Sequence, residues 1–332
     1  MSSLKDVARR ANTSTATVSR VINQTGYVSD EMKKRVLDAI EALDYKALQR
    51  EGKSKKTKTI ALVTPDIENP FFAKMTKEIS KIANELKYNV LLINVSGLKN
   101  DGGDFLMSII DSKVDGVIYA SSFRLDDVVE KAKRNKIPMV VLDRELRTME
   151  IDIVAVNNNQ AGFLATDHLI GLGHERIAFI GGTEAMDISS KRLEGYKRAL
   201  ETSGIAYDEK LVARGDFSMA SGFEAAEALL ETDESITAII AANDLMAIGA
   251  ANCLNIKGLK IPKDISVVGF DDIELASSIT PKLTTVSYPL ERMSQLAMES
   301  IIKQISDEDF VCESVSLFPK LVVRESTGEV KS

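Results

Sequence analysis

The chain has no tryptophan, and only two cysteines and two histidines among its 332 residues. Cys253 and Cys312 lie far apart, and neither belongs to a Cys-x-x-Cys pair, so no disulfide framework or zinc site is expected. His168 and His174 have neither metal-ligand nor relay spacing. Because no nucleophile, base and metal come together either, the sequence predicts a protein that is not an enzyme and has no metal and no cofactor.

Long apolar runs are missing as well. A membrane-spanning helix needs roughly 18 or more consecutive apolar residues, and the chain has no such run, so no membrane partner is expected. The first residues lead directly into a charged amphipathic segment and lack the apolar stretch of a signal peptide. We therefore expect a cytoplasmic protein, whose 332 residues suit two or three domains.

The net charge of −7 is unevenly distributed along the chain. Residues 1–58 hold 13 basic against 7 acidic residues, a net charge of +6, which leaves −13 on the remainder. A small basic segment beside a large acidic one is typical of a protein in which only one end meets nucleic-acid phosphates.

Residues 4–23 predict two short helices separated by a polar turn. Ser14 is placed to cap the second helix with its hydroxyl, and Asn12 and Thr13 before it favour a turn. The apolar residues of both helices follow the spacing of one buried face, at Leu4, Val7, Ala8, Ala11, Val18, Val21 and Ile22. The sequence therefore predicts a helix-turn-helix headpiece over residues 1–45.

The outward side of the second helix has the chemistry of a DNA-reading surface. The methyl of Ala16 suits a thymine methyl, and the fork of Arg20 suits guanine O6 and N7. Ser14 and Thr17, near the free amides of the helix start, suit phosphates. An ordinary surface helix pair is the alternative. The predicted DNA-binding residues are Ser14, Thr15, Ala16, Thr17, Ser19, Arg20 and Asn23.

The segment Leu4 to Asn23, with its Asp-Val-Ala and Thr-Val-Ser-Arg-Val-Ile-Asn runs, resembles the DNA-binding headpiece of LacI/GalR-family repressors. The resemblance continues over nearly the whole chain. It implies a homodimer in which each headpiece reads half of a near-palindromic operator in double-stranded DNA, with Thr15, Ala16 and Arg20 at base-reading positions. No heptad repeat follows Arg324, which favours a dimer over a tetramer.

A third helix and a hinge are predicted next. The helix begins after the capping residue Ser29 and ends near Leu43. Residues 46–58 are lysine-rich and polar, and the resemblance implies a hinge helix there with a leucine wedged into the minor groove. This chain departs from that pattern, because Gly52 takes the leucine's place and Leu48 is the local substitute; a solvated tether is the alternative. The expected apolar residues of the three-helix core are Val28, Met32, Val36, Leu37, Ile40 and Leu43.

From Thr59 onward, apolar runs of strand length alternate with amphipathic helices, one of them around residues 105–110. This alternation predicts an α/β core of doubly wound parallel sheets, residues 59–332. The resemblance, which extends to periplasmic sugar-binding proteins, implies two lobes joined by three crossings. The implied N-lobe is about 59–158 plus 288–319, and the implied C-lobe is about 159–287 plus 320–332.

Polar and aromatic side chains follow the strands of both expected sheets, where doubly wound folds bind ligands. Aromatic faces pack on sugar rings, and Arg, Asp and Asn chelate vicinal hydroxyls. Each residue also has a structural alternative: Asp143, Asp244 and Asp271 suit helix caps, and Phe71 and Phe72 suit a core.

The pattern is similar to that of ribose-binding receptors and ribose repressors. Where those proteins have a glutamine, this chain has Tyr288, so ribose, another pentose, a hexose and a phosphorylated sugar all stay open. Carried over residue by residue, and with Tyr288 added, the resemblance nominates Asn69, Phe71, Phe72, Asp143, Arg144, Arg192, Phe217, Asn243, Asp271 and Tyr288 for the effector.

These features together predict a regulator of sugar-utilisation genes, in which a sugar closes the lobes and changes operator binding. A space around Arg192 that the chain's own side chains already fill would count against this hypothesis. One alternative is a regulator that responds to a phosphorylated carrier protein outside the cleft, a branch that Ser54-Lys-Lys-Thr57 resembles. A sugar receptor without a DNA role is disfavoured by the headpiece, and Gly181-Gly182-Thr183 lacks the Lys-Ser/Thr of a phosphate loop.

Overall fold

The structure is a computed structural model that describes residues 4–22, 26–43, 57–96, 114–122, 125–144, 151–183, 187–233, 235–306 and 312–330. Asn23, most of the predicted hinge and the helix expected around residues 105–110 lie outside these residues. The chain divides into two compact units, Met1–Lys55 and Lys56–Ser332. In the described ranges, no helix is long and apolar enough to cross a membrane.

The described residues of the first unit form three helices, α1 (Leu4–Arg10), α2 (Thr15–Ile22) and α3 (Asp30–Ala42). Their core is small, and one valine from each helix is completely buried in it: Val7, Val18 and Val36. The prediction that Leu37 joins this core is wrong, because its side chain is 57% exposed. A helix turns by about 100° per residue, so burial of Val36 carries the next side chain out toward solvent.

The second unit alternates strands and helices. Its first part comprises β1 (Thr59–Thr64), α4 (Pro70–Glu85), β2 (Asn89–Asn94), β3 (Gly116–Tyr119), α5 (Leu125–Asn135), β4 (Met139–Leu142) and β5 (Asp152–Val156). The middle part comprises α6 (Asn158–Gly171), β6 (Ile177–Gly181), α7 (Asp187–Thr202), a 3₁₀ turn (Glu209–Leu211), β7 (Val212–Arg214), α8 (Met219–Thr232), β8 (Ala238–Ala241) and α9 (Asp244–Ile256). The last part comprises β9 (Ser266–Phe270), α10 (Glu274–Ser278), β10 (Thr284–Ser287), α11 (Leu290–Ser306), β11 (Ser314–Leu317) and β12 (Lys320–Val322).

These strands form two six-stranded sheets, in the orders β11-β5-β4-β3-β1-β2 and β12-β10-β9-β8-β6-β7. All pairings are parallel except that of β10 with β12. We call the first sheet with its helices the N-lobe and the second the C-lobe. The chain passes between them after β5, after β10 and after β11.

The strands near the middle of each sheet are buried on both faces. Strands β3, β4, β6, β8 and β9 consist entirely of buried residues, as the uninterrupted apolar runs in the sequence predict. One apolar cluster, which includes Phe71 and Phe270, contains residues of both lobes. The carboxyl ends of the strands therefore open onto a boundary between lobes that is itself packed.

Candidate functional site

The outward side of α2 carries most of the predicted DNA-binding residues. Ser14 caps the helix, because its Oγ accepts a hydrogen bond from the Thr17 amide at 3.1 Å. Buried Val18 fixes the opposite side of α2 in the core. We name the outward side the recognition surface; Ser14, Thr15, Ala16 and Arg20 in it are exposed, and Thr17 and Ser19 are half-buried.

The recognition surface has a simple electrostatic character. Its one charged side chain, Arg20, lies in the last turn of α2, and the first turn of that helix contains no acidic residue. Among the neighbouring basic side chains, Arg9 lies 3.6 Å from Asp6 in an exposed ion pair. Such exposed pairs contribute little to stability, so Arg9 stays available for a phosphate.

In the second unit, Arg192 of α7 is the centre of a buried polar cluster. Its side chain is 3% exposed. The Nε atom donates to Asn158 Oδ1 at 3.0 Å, Nη1 donates to the carbonyl oxygen of Ala242, and Nη2 lies 3.7 Å from Asp271 Oδ1. The guanidinium also lies over the ring of Phe270, 4.7 Å from its centroid. All three nitrogens of this cation therefore face partners within the chain.

Asn158 connects the two lobes within this cluster. Its Nδ2 donates to Asp143 Oδ1 of the N-lobe at 3.3 Å and to the Val156 carbonyl at 3.1 Å. Its Oδ1 accepts from Arg192 and, at 3.2 Å, from the hydroxyl of Tyr288. We name Asp143, Asn158, Arg192, Asp271 and Tyr288 the cleft cluster.

Asn158 was not among the residues nominated from the sequence. A signal for it exists in the run Asn157-Asn158-Asn159, which directly follows the buried strand β5. Asn157 caps α6 by accepting from the Gln160 amide at 2.8 Å. One asparagine is enough for a cap, so the second of the run is free for the interior.

Local backbone features place these side chains. Glycine at position 162 lets α6 and α7 approach closely, because it has no Cβ. A Cβ there would lie 2.0 Å from the carbonyl oxygen of Arg192. Asp143 and Asp271 each follow a central strand with positive φ, 55° and 103°. Positive φ is uncommon outside glycine, and Asp tolerates it better than most residues. The two carboxylates meet the cluster from opposite lobes, since Asp143 accepts from Asn158 and Asp271 faces Arg192.

Burial changes the protonation chemistry of the cluster. Burial raises the pKa of Asp271 from 3.8 to about 7; the Arg192 charge opposes this rise, and Asp143 adds to it. Burial and then Asp271 raise the pKa of Asp244 well above its usual range, although Thr285 Oγ1 donates to that carboxyl at 2.6 Å. Burial likewise raises the pKa of Tyr288, so its phenol stays protonated at neutral pH.

The other nominated residues lie around this cluster and have structural tasks. Asn69 caps α4 by accepting from the Phe71 amide at 3.0 Å. Asn243 caps α9 through the Met246 amide at 2.9 Å. Arg144 is buried, Phe72 packs edge-on against Phe71 with ring centroids 5.2 Å apart, and Phe217 lies against Gly182, where a Cβ would be 2.1 Å from its ring.

A small cavity borders the cleft cluster. It has a volume of about 10 Å³, is lined by Asp143, Arg144, Asn158 and Lys191, among others, and has room for about one water molecule. Larger cavities of about 630 and 570 Å³ are lined by other parts of the C-lobe, including His174 and Ile279. The effector site expected beside Arg192 stays a prediction.

Comparison with known families decides which class of protein this is. The family model for bacterial regulatory proteins of the lacI family matches residues 3–47. The model for periplasmic binding proteins and the sugar binding domain of the LacI family matches residues 57–319. The chain belongs to the LacI family of bacterial regulators. As a LacI-family protein it is a DNA-binding transcriptional regulator and not an enzyme.

Relatives of this LacI-family regulator match it over nearly its whole length. Catabolite control protein A of Priestia megaterium is 37% identical over 325 residues, 97% of this chain and 98% of that protein. The solved structure of the transcriptional regulator CelR–cellobiose complex has 32% identity and a TM-score of 0.75, and the match covers 98% of this chain and 100% of that one. A solved LacI-family regulator from Enterococcus faecium with bound ribose has 30% identity and a TM-score of 0.74, covering 82% and 100%.

Regulators of the LacI family bind operator DNA and sugar effectors and act as dimers. In the part of the chain that the structure describes, no group of three or more His, Cys, Asp and Glu side chains is placed to hold a metal ion.

Proposed function

We propose that this regulator recognises its operator through the recognition surface, in the cytoplasm and as a homodimer. We further propose that a small sugar or sugar phosphate between the lobes alters operator affinity. The domain division that goes with this proposal is a headpiece at residues 1–45, a hinge at 46–58 and an effector unit at 59–332. The observation that carries it is the exposure of Arg20 and its neighbours on a helix anchored by Val18.

The recognition surface supports DNA reading because its side chains are small or forked. Thr15 and Ala16 at the exposed start of α2 let a backbone come close to base edges. Arg20 offers two parallel N–H groups, which match O6 and N7 of guanine. Since none of these side chains is buried in the protein's core, binding DNA does not require that the fold give up a contact.

An operator-binding titration tests the first half of this proposal. An operator is first selected from random duplexes with the wild-type protein, and Arg20→Ala and Arg20→Lys are then compared on it. Loss of a bidentate contact costs about 1–3 kcal/mol, so Arg20→Ala should bind the operator about 5–150-fold more weakly. Arg20→Lys keeps the charge but not the fork, so it should lose operator affinity while retaining affinity for random DNA.

Two results of that titration would overturn the assignment of Arg20. Unchanged operator affinity in Arg20→Ala would show that another side chain reads the bases. Equal loss of affinity for operator and random DNA would show that Arg20 contacts only phosphates.

The second half of the proposal rests on the chemistry between the lobes. Asp143 and Asp271 supply two carboxyls at the carboxyl ends of strands, where ligands of such folds bind, and Arg192 of α7 supplies a planar cation beside them. Similar solved regulators carry cellobiose or ribose. The test is operator affinity in a panel of sugars and sugar phosphates: a ligand-dependent change supports the effector, and constant affinity across the panel removes it without affecting the Arg20 assignment.

A protein effector is a second candidate, and the pairing of all three Arg192 nitrogens within the chain favours it. A phosphorylated carrier protein bound outside the cleft would not need space between the lobes. The similarity to catabolite control protein A fits this candidate. Operator affinity measured with the phosphorylated and unphosphorylated forms of such a carrier separates the two: only a phosphorylation-dependent change supports the carrier.

A further inference from the structure

The ring of Tyr288 lies among the residues nominated for a sugar. The guanidinium of Arg192 lies over this ring, 5.2 Å from its centroid. The ring of Phe71, from the N-lobe, meets it edge-on with centroids 6.0 Å apart. Tyr288 is 5% exposed and stands at the second passage of the chain between the lobes.

The hydroxyl of Tyr288 has a defined partner as well. It donates to Asn158 Oδ1 at 3.2 Å, the same oxygen that accepts from Arg192 Nε at 3.0 Å. Burial keeps the phenol protonated and therefore able to donate. One side chain thus supplies a six-membered ring that packs on aromatic and guanidinium groups, together with a hydroxyl that binds an asparagine.

These are the contacts by which proteins hold a monosaccharide: a ring face or edge against an aromatic side chain, and hydroxyls on planar polar groups. The Tyr288 ring lies under the Arg192 guanidinium, and its hydroxyl occupies Asn158 Oδ1. A neutral sugar can therefore take up these same contacts only after the Tyr288 ring leaves.

We propose that Tyr288 occupies the place of a sugar ring between the lobes and thereby excludes neutral monosaccharides from the wild-type chain. This inference rests on the proposed function, because it names the residue that determines ligand specificity at the same site. The Tyr288 ring holds the lobes together through Phe71 of one and Arg192 of the other. A ligand must exchange these contacts for its own, so a simple pentose or hexose binds far more weakly than it would to a chain with a shorter residue there.

The test measures binding of D-ribose and D-glucose by full-length wild type, Tyr288→Gln, Tyr288→Ala and Tyr288→Phe, using thermal shift and calorimetry. Wild type and Tyr288→Phe, which both keep the ring, should show no saturable response at millimolar sugar. Tyr288→Gln and Tyr288→Ala should bind at least one of the two sugars at least tenfold more tightly. At a hundredfold excess over its Kd, the sugar should raise Tm by about 4 °C or more.

Matched controls separate this effect from general loosening of the fold. Tyr207→Ala removes a tyrosine that lies against Tyr196 and outside the cleft cluster, so it should gain no sugar binding. Circular dichroism confirms that each variant is folded, and Tyr288→Gln, the smaller change, serves if Tyr288→Ala does not fold.

Two results overturn the inference. In the first, wild type binds ribose or glucose with an affinity within threefold of that of the best variant. In the second, Tyr288→Gln is folded but binds neither sugar. Operator affinity, measured in the same samples, keeps the proposed function separate. Sugar binding by the variants without any change in operator affinity would leave the Tyr288 inference standing and contradict ligand control. Tight sugar binding by wild type with a change in operator affinity would contradict the Tyr288 inference and support ligand control.

Discussion

The recognition surface and the cleft cluster use similar side chains in opposite environments. Arg20 on α2 is exposed, whereas Arg192 on α7 is 3% exposed and faces Asn158, Asp271 and the Ala242 carbonyl. The first arginine meets its partner only when DNA arrives. The second already has its partners, and any ligand must compete with them.

The two regions differ in how their binding residues are kept before a ligand arrives: those of one are exposed, and those of the other are buried and paired. An exposed site costs the fold little and leaves recognition to the partner's shape and charge. A buried, paired site is sensitive to substitution, because breaking one of its pairs leaves a charge or dipole without compensation in a poorly solvated place. Substitutions should therefore affect function alone at the recognition surface, and stability together with function at the cleft cluster.

The largest expected effect is that of Arg192→Ala on stability. Removing the guanidinium leaves Asp271 and Asn158 with lost partners and the rings of Phe270 and Tyr288 with a lost packing surface. Breaking a buried pair in this way should lower the free energy of unfolding by about 3–5 kcal/mol. Urea denaturation followed by circular dichroism measures the loss.

The matched variant for that measurement is Arg20→Ala, which removes an exposed arginine. Its free energy of unfolding should stay within about 0.5 kcal/mol of wild type. Equal stabilities of Arg192→Ala and Arg20→Ala would abolish the contrast between the two regions.

The next effect is a pH dependence that originates in Asp271. The pKa of the Asp271 carboxyl is 3.8 in the unfolded chain and about 7 in the folded chain. Between these pH values the folded chain binds more protons than the unfolded chain, so stability is greatest below pH 4, falls as pH rises toward 7 and is constant above it. A shift of this size corresponds to about 4 kcal/mol, at about 1.4 kcal/mol per pH unit.

Asp271→Asn should remove this fall, which thermal unfolding from pH 4 to 8 would show as a flatter profile. Asp126→Asn, an exposed carboxyl at the start of α5, is the control and should leave the wild-type slope in place. A slope that survives in Asp271→Asn would assign the titration to another group, with buried Asp244 the first to examine.

The same contrast explains what the sequence could predict. The headpiece helices and the two parallel sheets follow from local periodicity, and a helix pattern identifies an exposed face without knowledge of partners. The effector residues were nominated by the resemblance to ribose-binding receptors and ribose repressors. Leu37 was misassigned because neighbouring apolar residues at 36 and 37 both fit a broad apolar stripe.

The pairing inside the cleft cluster had no local signal. The bond between Asn158 and Tyr288 joins residues 130 positions apart, and the acceptor for Arg192 Nη1 is a backbone carbonyl, which every residue has. Whether a tyrosine at position 288 points into the cleft and fills it depends on how the lobes pack. Residue types and spacing could therefore name the participants but not their partners.

The smallest effect tests whether the recognition surface is as independent of the fold as its exposure indicates. Ser14 is the exception within it, because its Oγ accepts from the Thr17 amide at 3.1 Å and lies 3.0 Å from Thr17 Oγ1. Ser14→Ala should lower the stability of the first unit by about 1 kcal/mol through loss of this cap. Thr15→Ala, one residue later, should cost less than about 0.5 kcal/mol.

Since the cap also holds the start of α2 in place, Ser14→Ala should weaken operator binding even if its hydroxyl never touches DNA. Ser14→Asp restores a capping oxygen and should recover the stability. Recovery of stability without recovery of operator affinity would assign Ser14 a contact of its own with the phosphates, because a carboxylate there repels them.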